Sequence, residues 1–175
     1  MNLKSFSVDE ADSILRSTPA VLRSILEKLP EEISSATDEN DWRPFDVVGH
    51  LIHGEETDWI PRARIVLEQG ENRTFVPFDR FAQFDNSKGK SLGALVDEFA
   101  ALRTANLETL RSWKLTEEQL GLQGEHPELG TVTLRQLLAT WVVHDLNHIR
   151  QIITAIATRY SGEVGPWKEY LSILS

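Results

Sequence analysis

No cysteine occurs among the 175 residues. Disulfides, thiolate metal ligands and a cysteine nucleophile are excluded, and any thiol chemistry must use a thiol brought by a substrate. Basic charge is scarce: 18 lysines and arginines against 27 acidic residues give a formal net charge of -9, and the pI is near 5.0. Nucleic acid binding rests on cationic side chains neutralising phosphates, and no basic run is present, so nucleic acid is not an expected partner. Anionic membrane surfaces are disfavoured for the same reason. No apolar run approaches the roughly 18 residues of a membrane span. The first ten residues, Met1 to Glu10, lack the apolar stretch of a secretory signal. A cytoplasmic protein with no membrane partner is expected. Internal repeats, low-complexity tracts and a clear strand pattern are also missing.

What is there is ordinary for a folded chain. A hydrophobic content of 41% with 26% charged residues rules against disorder, and the length suits one domain, residues 1–175, with a sizeable core.

The periodicity is helical throughout. Ser7-Val-Asp-Glu10 is a capping box that opens a first segment through about Arg16. Pro19 should start a second segment, since proline suits a first turn and not an interior, and Pro30 should stop it. A long helix is expected from Pro44, carrying Val47, Val48, Leu51, Ile52 and Trp59, kinked or broken near Pro61 and ending at Gly70. Residues 71–90 have weak periodicity and read as a long loop whose Phe75, Phe78, Phe81 and Phe84 should pack against something. Ser91 caps a helix running to about Trp113. A linker containing Gly121, Gly124, Pro127 and Gly130 follows, in which His126 shows no local sign of a role. Thr131-Val-Thr133 begins a last long helix that should end near Tyr160. The tail, Gly165 to Leu174, has an apolar face suited to sealing one edge or making a subunit contact. The fold class expected is all-α, a four-helix bundle.

The centre of the sequence is Trp141-Val-Val-His144-Asp-Leu-Asn-His148-Ile-Arg-Gln-Ile152. Residues four apart on a helix share a face one turn apart, so His144 and His148 can reach one point. They lie on the apolar stripe of Leu134, Leu137, Trp141 and Ile152, so they should point inward. Burying two imidazoles without partners is costly, which favours metal ligation over a pair of core histidines. A site open to substrate needs a third ligand. His50 and His53 are the candidates on the other long helix, and periodicity does not choose between them. Gly54, on the row leading from His50, would leave space beside a site. Asp145 and Asn147 point away from the stripe toward the surface or another helix. Glu55 and Glu56 are expected to be solvated, with orientation of a water or an imidazole as the alternative. Arg80 and Arg103 are conceivable anion contacts, although ion pairing at the surface or between helices is the plainer reading.

Trp42-Arg-Pro-Phe-Asp-Val-Val-Gly-His50-Leu, the Pro77-Phe-Asp-Arg80 loop, Gly124-Glu-His-Pro-Glu-Leu-Gly130 and the Trp141–Gln151 stretch, in this order and spacing, resemble the DinB/YfiT-like superfamily. The resemblance spans about Ser7 to Thr158. It implies a four-helix bundle, often a homodimer, with a three-histidine site for zinc, nickel or iron, the ligands falling on His50, His144 and His148. His53 lies outside the shared pattern. It further implies a metal-dependent enzyme that transfers or adds a low-molecular-weight thiol of the bacillithiol, mycothiol or glutathione type to a small electrophile. A non-catalytic, stress-related protein holding a metal or small ligand, and a metal-dependent hydrolase, are the alternatives. Catalytic residues and cofactor contacts other than the metal ligands are not assigned by the sequence.

Overall fold

The computed structural model describes residues 6–34 and 42–175. The first helix, α1 (Val8–Leu26), starts where Ser7 Oγ accepts the Glu10 amide at 3.4 Å. It does not stop at Pro19, which sits inside one continuous helix. Proline supplies no N–H, so the Leu15 carbonyl one turn back loses its helical partner. Arg103 Nη1 donates to that carbonyl at 2.8 Å, and the interruption expected from sequence is thereby removed.

After the short α2 (Glu31–Ser34), α3 (Pro44–Thr57) begins with proline in its first turn and the Arg43 amide donating to Asp46 Oδ2 at 3.1 Å. The break expected near Pro61 is at Asp58, where φ is -106° and ψ -70°, and α4 (Trp59–Glu68) follows. A proline ring excludes the helical carbonyl four residues earlier, here that of Thr57, which places the break. Gln69 ends α4 in the left-handed conformation with φ 48°, one residue before Gly70.

The loop 71–90 contains a short helix, α5 (Ala82–Asn86), pressed onto α3. Gly49 permits this approach: a Cβ there would lie 2.5 Å from Ser87 Oγ. Phe75 is buried, Phe78 and Phe84 are half-buried, and Phe81 is largely exposed but stacks on Phe84. Ser91 and Thr133 cap α6 (Leu92–Ser112) and α8 (Leu134–Thr158). The expected linker is more ordered than its glycines suggest. It holds α7 (Glu117–Leu120) and an antiparallel hairpin of β1 (Gln123–His126) and β2 (Gly130–Thr133), registered with Gln123 opposite Thr133. The Phe75 N–H donates to the Glu125 carbonyl at 2.8 Å and the Glu125 N–H to that of Arg73 at 2.9 Å, so the 71–76 segment lies along the hairpin. The tail forms two 3₁₀ turns, of which Ser172–Leu174 packs on α8, while Trp167 and Tyr170 are exposed. No described helix is long and apolar enough to cross a membrane.

The four long elements are α1, α3 with α4, α6 and α8. Both α1 and α3 pack against α6 and α8, so the first and second arms are diagonal in the bundle. Two apolar clusters result. One gathers Leu15, Trp59, Leu107 and Trp141, and the other Leu22, Leu51, Phe99 and Ile152. Between them, on each of α3, α6 and α8, falls a charged residue: Glu55, Arg103 and Asp145.

These three side chains are sealed, with exposures of 3%, 1% and 0%. Arg103 Nη1 and Nη2 donate to Asp145 Oδ2 and Oδ1 at 2.6 and 3.0 Å, and its Nε and Nη2 donate to Glu55 Oε1 at 3.2 and 2.8 Å. Trp141 Nε1 reaches the same Glu55 oxygen at 3.0 Å, and Asn106 Nδ2 donates to Oε2 at 3.0 Å. Burial pushes the Glu55 carboxyl up, against the pull of Arg103 and Asn106. Every partner of its oxygens is a donor, so the carboxylate is the form its surroundings solvate. Burial alone would lower the Arg103 pKa, but the two carboxylates outweigh it and hold the guanidinium above its ordinary value.

Replacing Arg103→Met leaves two buried carboxylates without their cation, and a loss of about 3–5 kcal/mol is expected in urea unfolding. Because unpaired buried carboxyls take up protons, the deficit should be smaller in mild acid than above neutrality. A stability equal to the parent's at both pH values would contradict this account of the core.

Candidate metal centre

The histidine cluster lies at the edge of this polar layer. His50 comes from the middle of α3, and His144 and His148 from successive turns of α8. Their ligand atoms lie within 4.8 Å of one another, and the Nε2 atom of His144 is 3.1 Å from those of both His50 and His148. His148 Nδ1 donates to Gln151 Oε1 at 2.8 Å, which leaves its Nε2 as a bare lone pair. A proton on His144 Nε2 could then serve only one of its two neighbours. Hydrogen bonding therefore cannot satisfy the three nitrogens together, whereas one cation can. Metal–imidazole bonds of about 2.0–2.1 Å put two ligand nitrogens about 2.9–3.4 Å apart for right-angled to tetrahedral arrangements. The observed 3.1 Å falls in that range, so the cluster fits a divalent metal ion.

The rings are held in different ways. Gln151 orients His148. The Nδ1 atoms of His50 and His144 are buried without a hydrogen-bond partner among the described residues, so packing orients these two. Trp42 and Phe78 lie 5.0 and 5.3 Å from the His50 ring, and Trp59 lies 5.0 Å from that of His144. Trp59 in turn stacks on Trp141 at 5.8 Å, and Trp141 is tied to Glu55, so the buried ionic layer is linked to a wall of the site. Gly54 does not open space at the histidines directly. A Cβ there would meet Trp59 Nε1 at 3.3 Å, so the glycine admits the indole that backs His144.

The electrostatics favour neutral imidazoles. Burial, then the proximity of His148, His53 and Arg80, lower the His50 pKa to about 3. Burial, His148, His50 and Arg103 lower that of His144 to about 2. His148 is also lowered by burial, opposed by Gln151 and Asp145. Neutral imidazole is the form that ligates metals.

Other sequence candidates fall outside the cluster. His53 packs its half-buried ring on Phe78 at 4.8 Å. Glu56 is exposed, but Glu55 is not: the expectation that it is solvated is wrong, because Arg103, Trp141 and Asn106 all point donors at it inside the bundle. Asp145 turns to α6, and Asn147 is exposed with its Oδ1 accepting from Arg150 at 3.4 Å. Arg103 is sealed in its ion pairs and out of reach of a ligand. Arg80 lines a cleft of about 350 Å³ that has His50 and His144 in its wall. Asp58, Arg62 and His126 line the same cleft, with Trp59, Phe75 and Phe78 as apolar surface. Asp58 contacts Arg62 at 2.5 Å, and burial raises its pKa to about 6 against the pull of that cation. Sequence reading missed Gln151, although its position three residues after His148 is a signal for a side-chain contact on a helix. It missed Trp59 and His126 because their partners come from distant segments.

The fold and site together define a four-helix bundle with a three-histidine centre. A profile of the DinB superfamily matches residues 14–152, and the chain belongs to that superfamily. Among solved structures, YfiT from Bacillus subtilis superposes with a TM-score of 0.74 at 24% identity, covering 93% of each chain. It is described as a "probable metal-dependent hydrolase with an unusual four-helix bundle topology". At that identity the likeness shows the fold alone. No curated protein matches the sequence.

Two outcomes are expected from this geometry. Gln151→Leu frees the His148 ring and should weaken zinc or nickel binding about 10- to 100-fold. An unchanged dissociation constant in competition with a chelator would contradict the orienting role. The three histidines have folded pKa values below their ordinary 6.5, with His50 at about 3 and His144 at about 2. The folded chain therefore refuses protons that the unfolded chain accepts. The stability these groups contribute is present above about pH 6.5 and is lost as pH falls below it. Asp58, raised to about 6, works in the opposite sense and offsets part of the loss. Chelator-treated protein should show a lower urea midpoint at pH 5.5 than at pH 7.5, and a rising midpoint would contradict the assignment.

Proposed function

We propose that His50, His144 and His148 hold a divalent metal, zinc, nickel or iron, in an enzyme that joins a low-molecular-weight thiol to a small electrophile. The observation behind this reading is the convergence of three imidazole nitrogens, two of them, on His50 and His144, in the wall of an apolar cleft. A divalent ion with open positions lowers the pKa of a bound thiol or water to near neutrality. The chain's own residues supply the rest. Gln151 sets the His148 lone pair, aromatic rings fix the other two imidazoles, and Trp59 and Phe78 exclude water from one side of the centre. No protein thiol is needed, in keeping with the absence of cysteine.

Hydrolysis is the second reading, and Asp58 favours it. A cleft carboxyl with a pKa of about 6 is suited to general base catalysis near neutrality. YfiT, whose fold the chain shares, is itself described as a probable metal-dependent hydrolase. Glu55 is unsuited to that role, since its oxygens are engaged by Arg103, Trp141 and Asn106.

The test begins with metal content in untagged protein purified without chelator, beside His148→Ala prepared identically. About one metal per chain in the parent and near-complete loss in the variant are expected from a three-ligand site. Failure of the parent to take up added zinc or nickel would overturn the reading. Loaded protein is then assayed with bacillithiol, mycothiol or glutathione and 1-chloro-2,4-dinitrobenzene. Metal-dependent thiol consumption supports transfer. Metal-dependent cleavage of p-nitrophenyl acetate without thiol, reduced at least tenfold in Asp58→Asn, supports hydrolysis instead.

A further inference from the structure

One wall of the cleft contains a residue that the proposed chemistry leaves unused. His126 ends β1, and its Nδ1 accepts the backbone N–H groups of Glu128 and Leu129 at 3.1 and 3.2 Å. A nitrogen accepting two N–H bonds is unprotonated, so a neutral ring has its proton on Nε2. Burial and the charge of Arg62 hold the His126 pKa below its ordinary value, with Glu128 opposing. The ring meets buried Phe75 edge-on, with centroids 6.3 Å apart at 85°, so both its plane and its tautomer are set. Nε2–H is on the ring edge away from the turn, and among the described residues it has no hydrogen-bond partner.

The same cleft contains an uncommitted cation. Arg62 is in contact with Asp58, whereas Arg80 is exposed and has no ion pair among the described residues. It lines the cleft together with His50 and His126. Exposed Glu128 is the other charged group in the lining.

We propose that the cleft takes a ligand with a flat apolar body and a carboxylate, the carboxylate held by Arg80 and by the Nε2–H of His126, the body lying against Trp59 and Phe78. This rests on reading the cleft as the substrate site of the histidine centre, and it names the substrate class. His126 is then a specificity-determining hydrogen-bond donor and takes no part in proton transfer.

The probes are 4-phenylbutyrate and its uncharged counterpart 4-phenylbutan-1-ol, titrated by calorimetry and NMR into the full-length protein, with metal content measured for each variant. The acid should bind at least about tenfold more tightly than the alcohol, as expected for hydrogen bonds to a charged group. Two variants separate the roles of the two ring nitrogens. His126→Asn keeps an acceptor for the turn amides where Nδ1 stands but lacks the reach of Nε2, and His126→Gln keeps an N–H at the outer position. Asn, and independently Arg80→Gln, should weaken the acid about fivefold or more without affecting the alcohol, while Gln stays within about threefold of the parent. Equal affinity for acid and alcohol, no binding of either, or parent-like binding by the Asn variant with loss in the Gln variant would each overturn the proposal. Because the readout is ligand affinity, failure here is distinct from failure of metal uptake, which the content measurement reports separately.

Discussion

The guanidinium of Arg103 is the interaction on which the rest of the structure depends. It sits where a bundle would ordinarily place a leucine, and it brings Glu55 of α3 and Asp145 of α8 to one point between two apolar clusters. Desolvating three charges is expensive, and replacing such a cluster with well-packed apolar residues is often neutral or stabilising in other proteins. Its contribution here is positional. Glu55 can meet Arg103 and Trp141 together only if α3, α6 and α8 have one relative rotation. In that rotation His50 and His144 face each other. Asp145 fixes the turn of α8 on which His144 and His148 are displayed.

The bundle was legible in the sequence because its signals are local. The caps at Ser7, Ser91 and Thr133 and the break before Pro61 depend on neighbours a few residues away. The pair His144 and His148 was legible for the same reason, a fixed spacing on one helix. Other features depend on partners distant in sequence. Glu55 reads as a surface residue until Arg103, 48 positions later, is placed against it. Pro19 reads as a boundary until the same residue repairs the carbonyl it strands. The choice between His50 and His53 depends on which way α3 is turned, and periodicity leaves both near the axis. The 123–133 hairpin has too few alternating residues to announce itself, and its order comes from Phe75 packing on it.

The histidine centre combines two means of holding a ring. His148 is tethered through Gln151, which dictates which nitrogen is bare. His50 and His144 are wedged among Trp42, Phe78 and Trp59, which limit tilt but leave the buried Nδ1 atoms without acceptors among the described residues. A hydrogen bond would raise the basicity of these imidazoles, and apolar packing depresses it. The site thus favours a cation other than the proton, since all three rings resist protonation at neutral pH.

The proline in α1 acts as a key. Along an uninterrupted helix every backbone carbonyl in the interior is taken, so a neighbouring helix meets a surface that looks alike at each turn and can slip by one. Pro19 leaves the Leu15 carbonyl without its helical donor, and Arg103 of α6 fills that notch. Axial sliding of α1 by one turn, about 5.4 Å, would separate the notch from its tooth. A residue usually read as damage to a helix thereby gives this bundle its index mark.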